Sequence, residues 1–273
     1  GYAVYEGPAA GDTIEIEGIQ PWSHAAPVLY HAVLTLRDAD GVLQEVVPYD
    51  IGFPRFEMIN GVMCLNGERV VFNGVNRHEW NADRGRAIGA DDMHAAMAVF
   101  KKNNINAVRT CHYPDQSLWY DLCDRNGIYM IDETNLESHG SWQKLGAVEP
   151  SWNVPGSLPE WKDCVVDRAR SMFERDKNHA AVLIWSCGNE SYAGEDILAM
   201  SQFFHDHDPG RLVHYEGVFH CRAFDAISDM ESRMYAKPWE IREYLESHPK
   251  KPFILCEYMH DMGNSLGGME SYV

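Results

Sequence analysis

Two glutamates stand where an apolar strand core gives way to polar sequence: Glu190 after VLIWSCGN and Glu257 after PFILC. A carboxylate at such a point is either half of a structural ion pair or a group that faces a substrate. Two of them facing one substrate supply what glycoside hydrolysis needs, an acid for the leaving oxygen and a nucleophile or base for the anomeric carbon. Asn189, beside Glu190, adds an amide able to bond a sugar hydroxyl. Glu137 and His139 form an E-x-H after IYMIDETN. Such a pair either bonds across its own loop or chelates one ion, and carboxylates with one His and no Cys favour magnesium or manganese over zinc. His205 and His207 in HDHDPG read as a solvated helix end. His24, His31, His179, His220 and His248 read as ordinary histidines with no ligand pattern around them.

These residues need common support, and the hydrophobic rhythm supplies it. VVFNGV, INAVRT, IYMIDETN, AAVLIWSCGNE, RLVHYEGV, FDAISDMESRMYA and KPFILCEYMH read as strands. Between them, stretches such as DDMHAAMAVFKKNN and EDILAMSQFFHDHDPG have helical spacing, the former opened by acids and closed by lysines. Apolar strands alternating with helices imply a parallel sheet with right-handed crossovers. No G-x-G-x-x-G follows the first strand, which turns the α/β class toward a (β/α)8 TIM-type barrel of roughly 250 residues. The barrel is assigned to residues 57–273. It is expected to lack its last strand and helix, because the sequence stops soon after the seventh strand. Residues 1–56 read as strands only, with DADG turning a hairpin. The expected mouth collects Arg77, His78 and Glu79, then Arg109, Cys111, His112 and Tyr113, then Asp132 and Glu133. Tyr215, Glu216, Tyr235, Tyr258 and His260 complete it.

Composition narrows the function classes. The formal charge of −18 over 273 residues argues against nucleic acid and anionic membrane as partners. No apolar run approaches the roughly 20 residues that span a bilayer. Seven scattered cysteines without a C-x-x-C pair suit a reducing compartment. With no signal-peptide pattern at its start, the chain is expected to be cytoplasmic.

GVNRHEW, AVRTCHYP, DETNLESHG, IWSCGNES and LCEYMHDMGNSLGG follow one another as in glycoside hydrolase family 2. The sequence most resembles that family's lactose-cleaving β-galactosidase branch, from about Trp22 to the C-terminus. GNE and E-Y are shared with β-glucuronidases and β-mannosidases, whereas NRHEW and CEYMHDMGNSLGG are more particular to β-galactosidases. The resemblance implies a retaining hydrolase of terminal β-D-galactosyl residues, with a β-glucuronidase as the rival. It casts Glu190 as general acid/base and Glu257 as nucleophile. Glu137, His139 and Glu190 become ligands of Mg2+, with Mn2+ as a substitute and a monovalent cation in the complete enzyme. His78, His112, Asn189 and His260 become sugar contacts, and Tyr235 the tyrosine that orients the nucleophile. Residues 1–56 would be the last strands of an immunoglobulin-like sandwich. The chain would then be the central piece of a longer, homo-oligomeric enzyme, and is expected to be catalytically silent by itself.

Overall fold

The structure, a computed structural model, describes residues 3, 5–7, 13–142, 153–260 and 267–272. The stretches 143–152 and 261–266, which carry much of the loop after Glu137 and of the MHDMGNSLGG motif, lie outside the described residues. The first described strands, β1 (Tyr30–Arg37) and β2 (Leu43–Ile51), form an antiparallel hairpin. As DADG predicts, Asp38 Oδ1 accepts the backbone N–H groups of Asp40 and Val42 at 3.0 and 2.9 Å. Alternation in this hairpin predicts one covered face, yet Val33, Leu34, Leu36 and Val46 are all exposed. Its apolar side chains are uncovered on both faces among the described residues.

The expected boundary at residue 57 falls inside a second small sheet. β3 (Phe56–Ile59), β4 (Val62–Leu65) and β5 (Glu68–Arg69) are antiparallel. Asn60-Gly61 and Asn66-Gly67 turn the chain between them, all four residues at positive φ, as type I′ hairpin turns require. Trp22 is fully buried nearby. It packs edge-on against Tyr129 at 5.9 Å and donates its indole N–H to Asp124 O at 2.8 Å. These N-terminal pieces cover the end where the barrel strands begin.

Seven parallel strands follow among the described residues: β6 (Gly74–Arg77), β7 (Ala107–Thr110), β8 (Tyr129–Glu133), β9 (Val182–Ser186), β10 (Leu212–His214), β11 (Glu231–Met234) and β12 (Phe253–Glu257). The first five hydrogen-bond in chain order and the last two pair with each other. β7, β8 and β9 are buried at every residue, as strands covered on both faces must be. His214 Nε2 bonds Ser232 Oγ at 2.8 Å, tying β10 to β11, and Tyr258 OH donates to Gly74 O at 3.0 Å, bringing the end of β12 to β6. RLVHYEGV is strand only over its first half, because Glu216–Phe219 coil into a 3-10 turn.

The crossovers are α1 (Ala90–Lys102), α2 (Ser117–Asn126), α3 (His139–Trp142), α4 (Pro159–Asp176), α5 (Glu195–His207) and α6 (Pro238–Glu246). In α1, Asp92 accepts the Gly89 N–H at 2.9 Å, and Met93, Met97 and Phe100 supply the buried stripe. α2 ends on Gly127 at φ 68°, where a Cβ would lie 2.7 Å from His24 O, so the cap demands glycine. Behind β9, Trp185 stacks on Phe204 of α5 at 5.5 Å. No described helix is long and apolar enough to cross a membrane.

Candidate active site

The period-two alternation of a strand decides which mouth residues reach the centre. On β8, Asp132 points outward and accepts the Tyr120 hydroxyl of α2 at 2.7 Å, whereas Glu133 points inward. Asp132 is therefore removed from the expected mouth. Arg77 and Glu79 are removed too: Arg77 pairs with Asp115 at 2.5 Å and lies over Trp119, and Glu79 accepts Gln116 N–H at 3.0 Å. Their buried charges hold the β6 end to the α2 entrance.

At the centre lies Arg109, with its side chain 2% exposed. Its Nε donates to Glu133 Oε2 at 2.6 Å, one terminal nitrogen to Glu257 Oε1 at 3.1 Å and the other to Asn189 Oδ1 at 2.8 Å. A planar guanidinium suits three such acceptors in a way that a lysine cannot. His112 Nδ1 meets the second oxygen of Glu133 at 2.8 Å, while its Nε2 stands 3.8 Å from Glu257 Oε1. Behind Glu133 a buried chain continues through Ser186 Oγ at 2.8 Å to His214. Burial pulls His214 down to about 3, so it is a neutral imidazole.

Glu257 receives a second donor, the Tyr235 hydroxyl on Oε2 at 2.6 Å, and that hydroxyl also meets His260 Nδ1 at 3.1 Å. Burial and the bond to Glu257 raise Tyr235, which keeps its proton as the donor. His78 Nδ1 meets Tyr113 OH at 3.3 Å, and the His78 ring stands edge-on to His112 at 5.6 Å.

Glu190 sits after β9 with φ at 37°, and Tyr235 after β11 with φ at 57°. Non-glycine residues in this region store strain of about 1–3 kcal/mol, and such residues cluster at functional sites. Glu216 helps to hold the first: its Oε1 accepts the Glu190 N–H at 2.7 Å. Burial pushes Glu216 up to about 8. A bridge between Glu137 and Asn189 brings the E-x-H loop alongside, and His139 Nδ1 reaches Glu190 Oε2 at 2.8 Å. One ligand atom from each of Glu137, His139 and Glu190 fits within 4.8 Å. Two carboxylates and one imidazole suit a hard or borderline divalent ion. Burial raises Glu190, and the charges of Glu257 and Glu137 add to that shift while His139 opposes it.

All nine sequence-assigned site residues thus gather at one end of the sheet. Glu133, Arg109 and Glu216 were not given roles, although Arg109 and Glu216 sit at strand ends and Glu133 is the inward partner of Asp132. The histidines set aside do find partners. His205 faces Asp229 at 3.1 Å, so it is not a solvated cap, and His207 bonds Phe203 O at 2.8 Å. His179 pairs with Asp124 at 2.6 Å.

The TIM barrel domain of glycosyl hydrolases family 2 matches residues 56–273. The chain belongs to glycoside hydrolase family 2. It is 64% identical over 92% of its length to a β-galactosidase of Halalkalibacterium halodurans, of which it covers 25%. It is 57% identical over 94% of its length to a β-galactosidase large subunit of Lactobacillus acidophilus, of which it covers 41%. The family 2 chain thus spans well under half the length of these relatives. An apo β-glucuronidase structure from Ruminococcus gnavus matches 94% of it with a TM-score of 0.77 at 22% identity, a likeness of fold.

Proposed function

We propose that this family 2 chain forms the catalytic barrel of a retaining β-galactosidase that releases terminal β-D-galactosyl residues by double displacement. The observation that carries the proposal is the Arg109 fork, which bonds Glu257 and Asn189 at once. One buried guanidinium thereby fixes the nucleophile and the residue next to the acid in a common frame. Galactose as the sugar is supported by relatives named β-galactosidase at 57–64% identity.

In the first step Glu257 attacks the anomeric carbon while Glu190 gives its proton to the leaving oxygen. In the second, Glu190 takes a proton from water, which attacks the galactosyl ester and restores the original configuration. The donors from Arg109 and Tyr235 hold the Glu257 carboxylate in one orientation. The raised Glu190 suits the acid role. His78, His112, Asn189 and His260 line the space beside them and serve as sugar-hydroxyl contacts. Glu137, His139 and Glu190 would hold Mg2+ or Mn2+, which when bound supplies a positive charge beside Glu190. We read the exposed β1–β2 hairpin as the end of a sandwich domain, and the complete enzyme as a cytoplasmic oligomer. Seven unpaired cysteines support the compartment, and relatives named large subunits support a multi-chain assembly.

The test is turnover of nitrophenyl galactoside, nitrophenyl glucuronide and lactose by the complete enzyme. Galactosides should be hydrolysed with retention and Glu257→Gln should abolish turnover. Glu190→Gln should slow lactose about 100-fold more than the nitrophenyl substrate, whose leaving group needs little protonation. Equal losses on both substrates would remove the assignment of roles, and inversion would remove the mechanism.

A further inference from the structure

Beside the oxygen-rich trio, the mouth holds a second set of ligand atoms with different chemistry. One ligand atom each from His78, Cys111 and His112 fits within 4.8 Å. Both imidazoles already engage an outer partner through Nδ1: His112 meets Glu133 at 2.8 Å, and His78 meets the Tyr113 hydroxyl at 3.3 Å. A ligating histidine almost always has its second nitrogen held this way, most tellingly by a carboxylate. Glu133 is itself fixed by Arg109 and Ser186. The His112 ring is therefore oriented by a bonded network, and Nε2 of each ring is left for a ligand. The backbone of Cys111 is pinned as well, its N–H donating to Arg77 O at 3.2 Å.

We propose that His78, Cys111 and His112 form a Zn2+ site, separate from the Glu137 trio, whose filling shuts the barrel mouth. Two imidazoles and a thiolate select a borderline-soft ion over Mg2+, with solvent as the fourth ligand. Tetrahedral zinc with these bond lengths holds its donors about 3.3–3.6 Å apart. The ligand atoms lie within 4.8 Å of one another, and the exposed His78 can supply the remaining adjustment by a change of rotamer. Binding transfers the Cys111 thiol proton to solvent and leaves a thiolate on the ion. Inhibition follows from position: the Nε2 of His112 lies 3.8 Å from Glu257 Oε1, so a cation there pairs with the carboxylate that must attack. That consequence rests on the proposed hydrolase, whereas binding does not.

The experiment uses the complete protein in excess Mg2+, with Co2+ as a spectroscopic probe and Zn2+ as the competitor. Cobalt should give a thiolate-to-metal charge-transfer band that zinc bleaches. The band should vanish in Cys111→Ser and weaken in His78→Gln, a change on an exposed side chain that guards against a folding defect. Zinc should also inhibit nitrophenyl galactoside hydrolysis, at a concentration at least about tenfold higher for Cys111→Ser than for the parent. A missing band, or equal zinc sensitivity in parent and Cys111→Ser, overturns the site. Inhibition reversed by further Mg2+ would place the ion on Glu137, His139 and Glu190, and overturns it too. A cobalt band lost in Cys111→Ser without any galactosidase activity upholds the site and refutes the proposed function alone.

Discussion

Replacing Arg109 by methionine should damage stability and turnover together. The guanidinium is 2% exposed and the carboxylate of Glu133 is fully buried, so the change strands a charge away from water. Breaking a buried ion pair from one side costs about 3–5 kcal/mol. Glu133 keeps bonds from Ser186 and His112, each at 2.8 Å, which places the loss near the lower end. With a urea slope of about 1–3 kcal/mol per molar, the midpoint should fall by roughly 1–3 M. Tryptophan fluorescence reports the barrel, since Trp119 and Trp185 are both fully buried. Arg109→Lys should recover only part of the loss, because one ammonium cannot serve acceptors spread over Glu133, Glu257 and Asn189. The sharper test is a double-mutant cycle. Adding Glu133→Gln to Arg109→Met removes the stranded charge and should restore about 1.5–3 kcal/mol. An unchanged midpoint in Arg109→Met, or strict additivity in the cycle, would refute the hub.

The remaining predictions concern protons and ions. Burial holds His214 near 3 against 6.5 when exposed, so between those pH values the unfolded chain binds one proton more than the folded chain. Its contribution to stability is full above about pH 6.5 and falls with acidity by up to about 1.4 kcal/mol per pH unit. His214→Gln should therefore take up about one proton fewer on unfolding near pH 5, and equal uptake in variant and parent would mean that His214 is already charged when folded. Exhaustive chelation should lower nitrophenyl galactoside turnover, with Mg2+ or Mn2+ restoring it. His139→Ala should raise the Mg2+ needed by about 10–100-fold, and chelation without effect would leave Glu137 and His139 a purely local role.

The parallel strands and their helices were legible because each is an apolar run bounded by polar loops, a signal that survives without tertiary context. VLIWS and FILC could be located on that ground, and Glu190 and Glu257 came with them. What periodicity does not encode is which of two adjacent polar residues faces inward at a strand end. Asp132 and Glu133 look equivalent in DETN, and only the register of β8 sends one to Tyr120 and the other to Arg109. The small sheet at residues 56–69 was missed for another reason. Its strands are two to four residues long, too short for alternation to register, though the two Asn-Gly pairs in INGVMCLNGE announce both turns. His205 illustrates a third limit. Its partner Asp229 lies 24 residues away, so no local pattern could reveal the pair.

Glu190 and Glu257 are nearly interchangeable as sequence, each the acid that ends an apolar strand, and the division of labour proposed for them rests on what the fold sets around them. Two donors from separate strand ends, Arg109 near the end of β7 and Tyr235 just after β11, address the two oxygens of Glu257. A carboxylate so held presents a fixed lone pair, which an attack on carbon requires. The Glu190 side chain instead meets His139, and it is its backbone that is gripped, through Glu216. Gripping the backbone at φ 37° sets where the side chain starts while leaving the carboxyl group to turn between leaving oxygen and water. Burial together with the neighbouring charges of Glu257 and Glu137 favours the protonated form. Environments that treat two acids differently are how one site holds both a proton donor and a nucleophile. Exchanging the two proposed roles would require moving Arg109 and Tyr235, not the glutamates themselves.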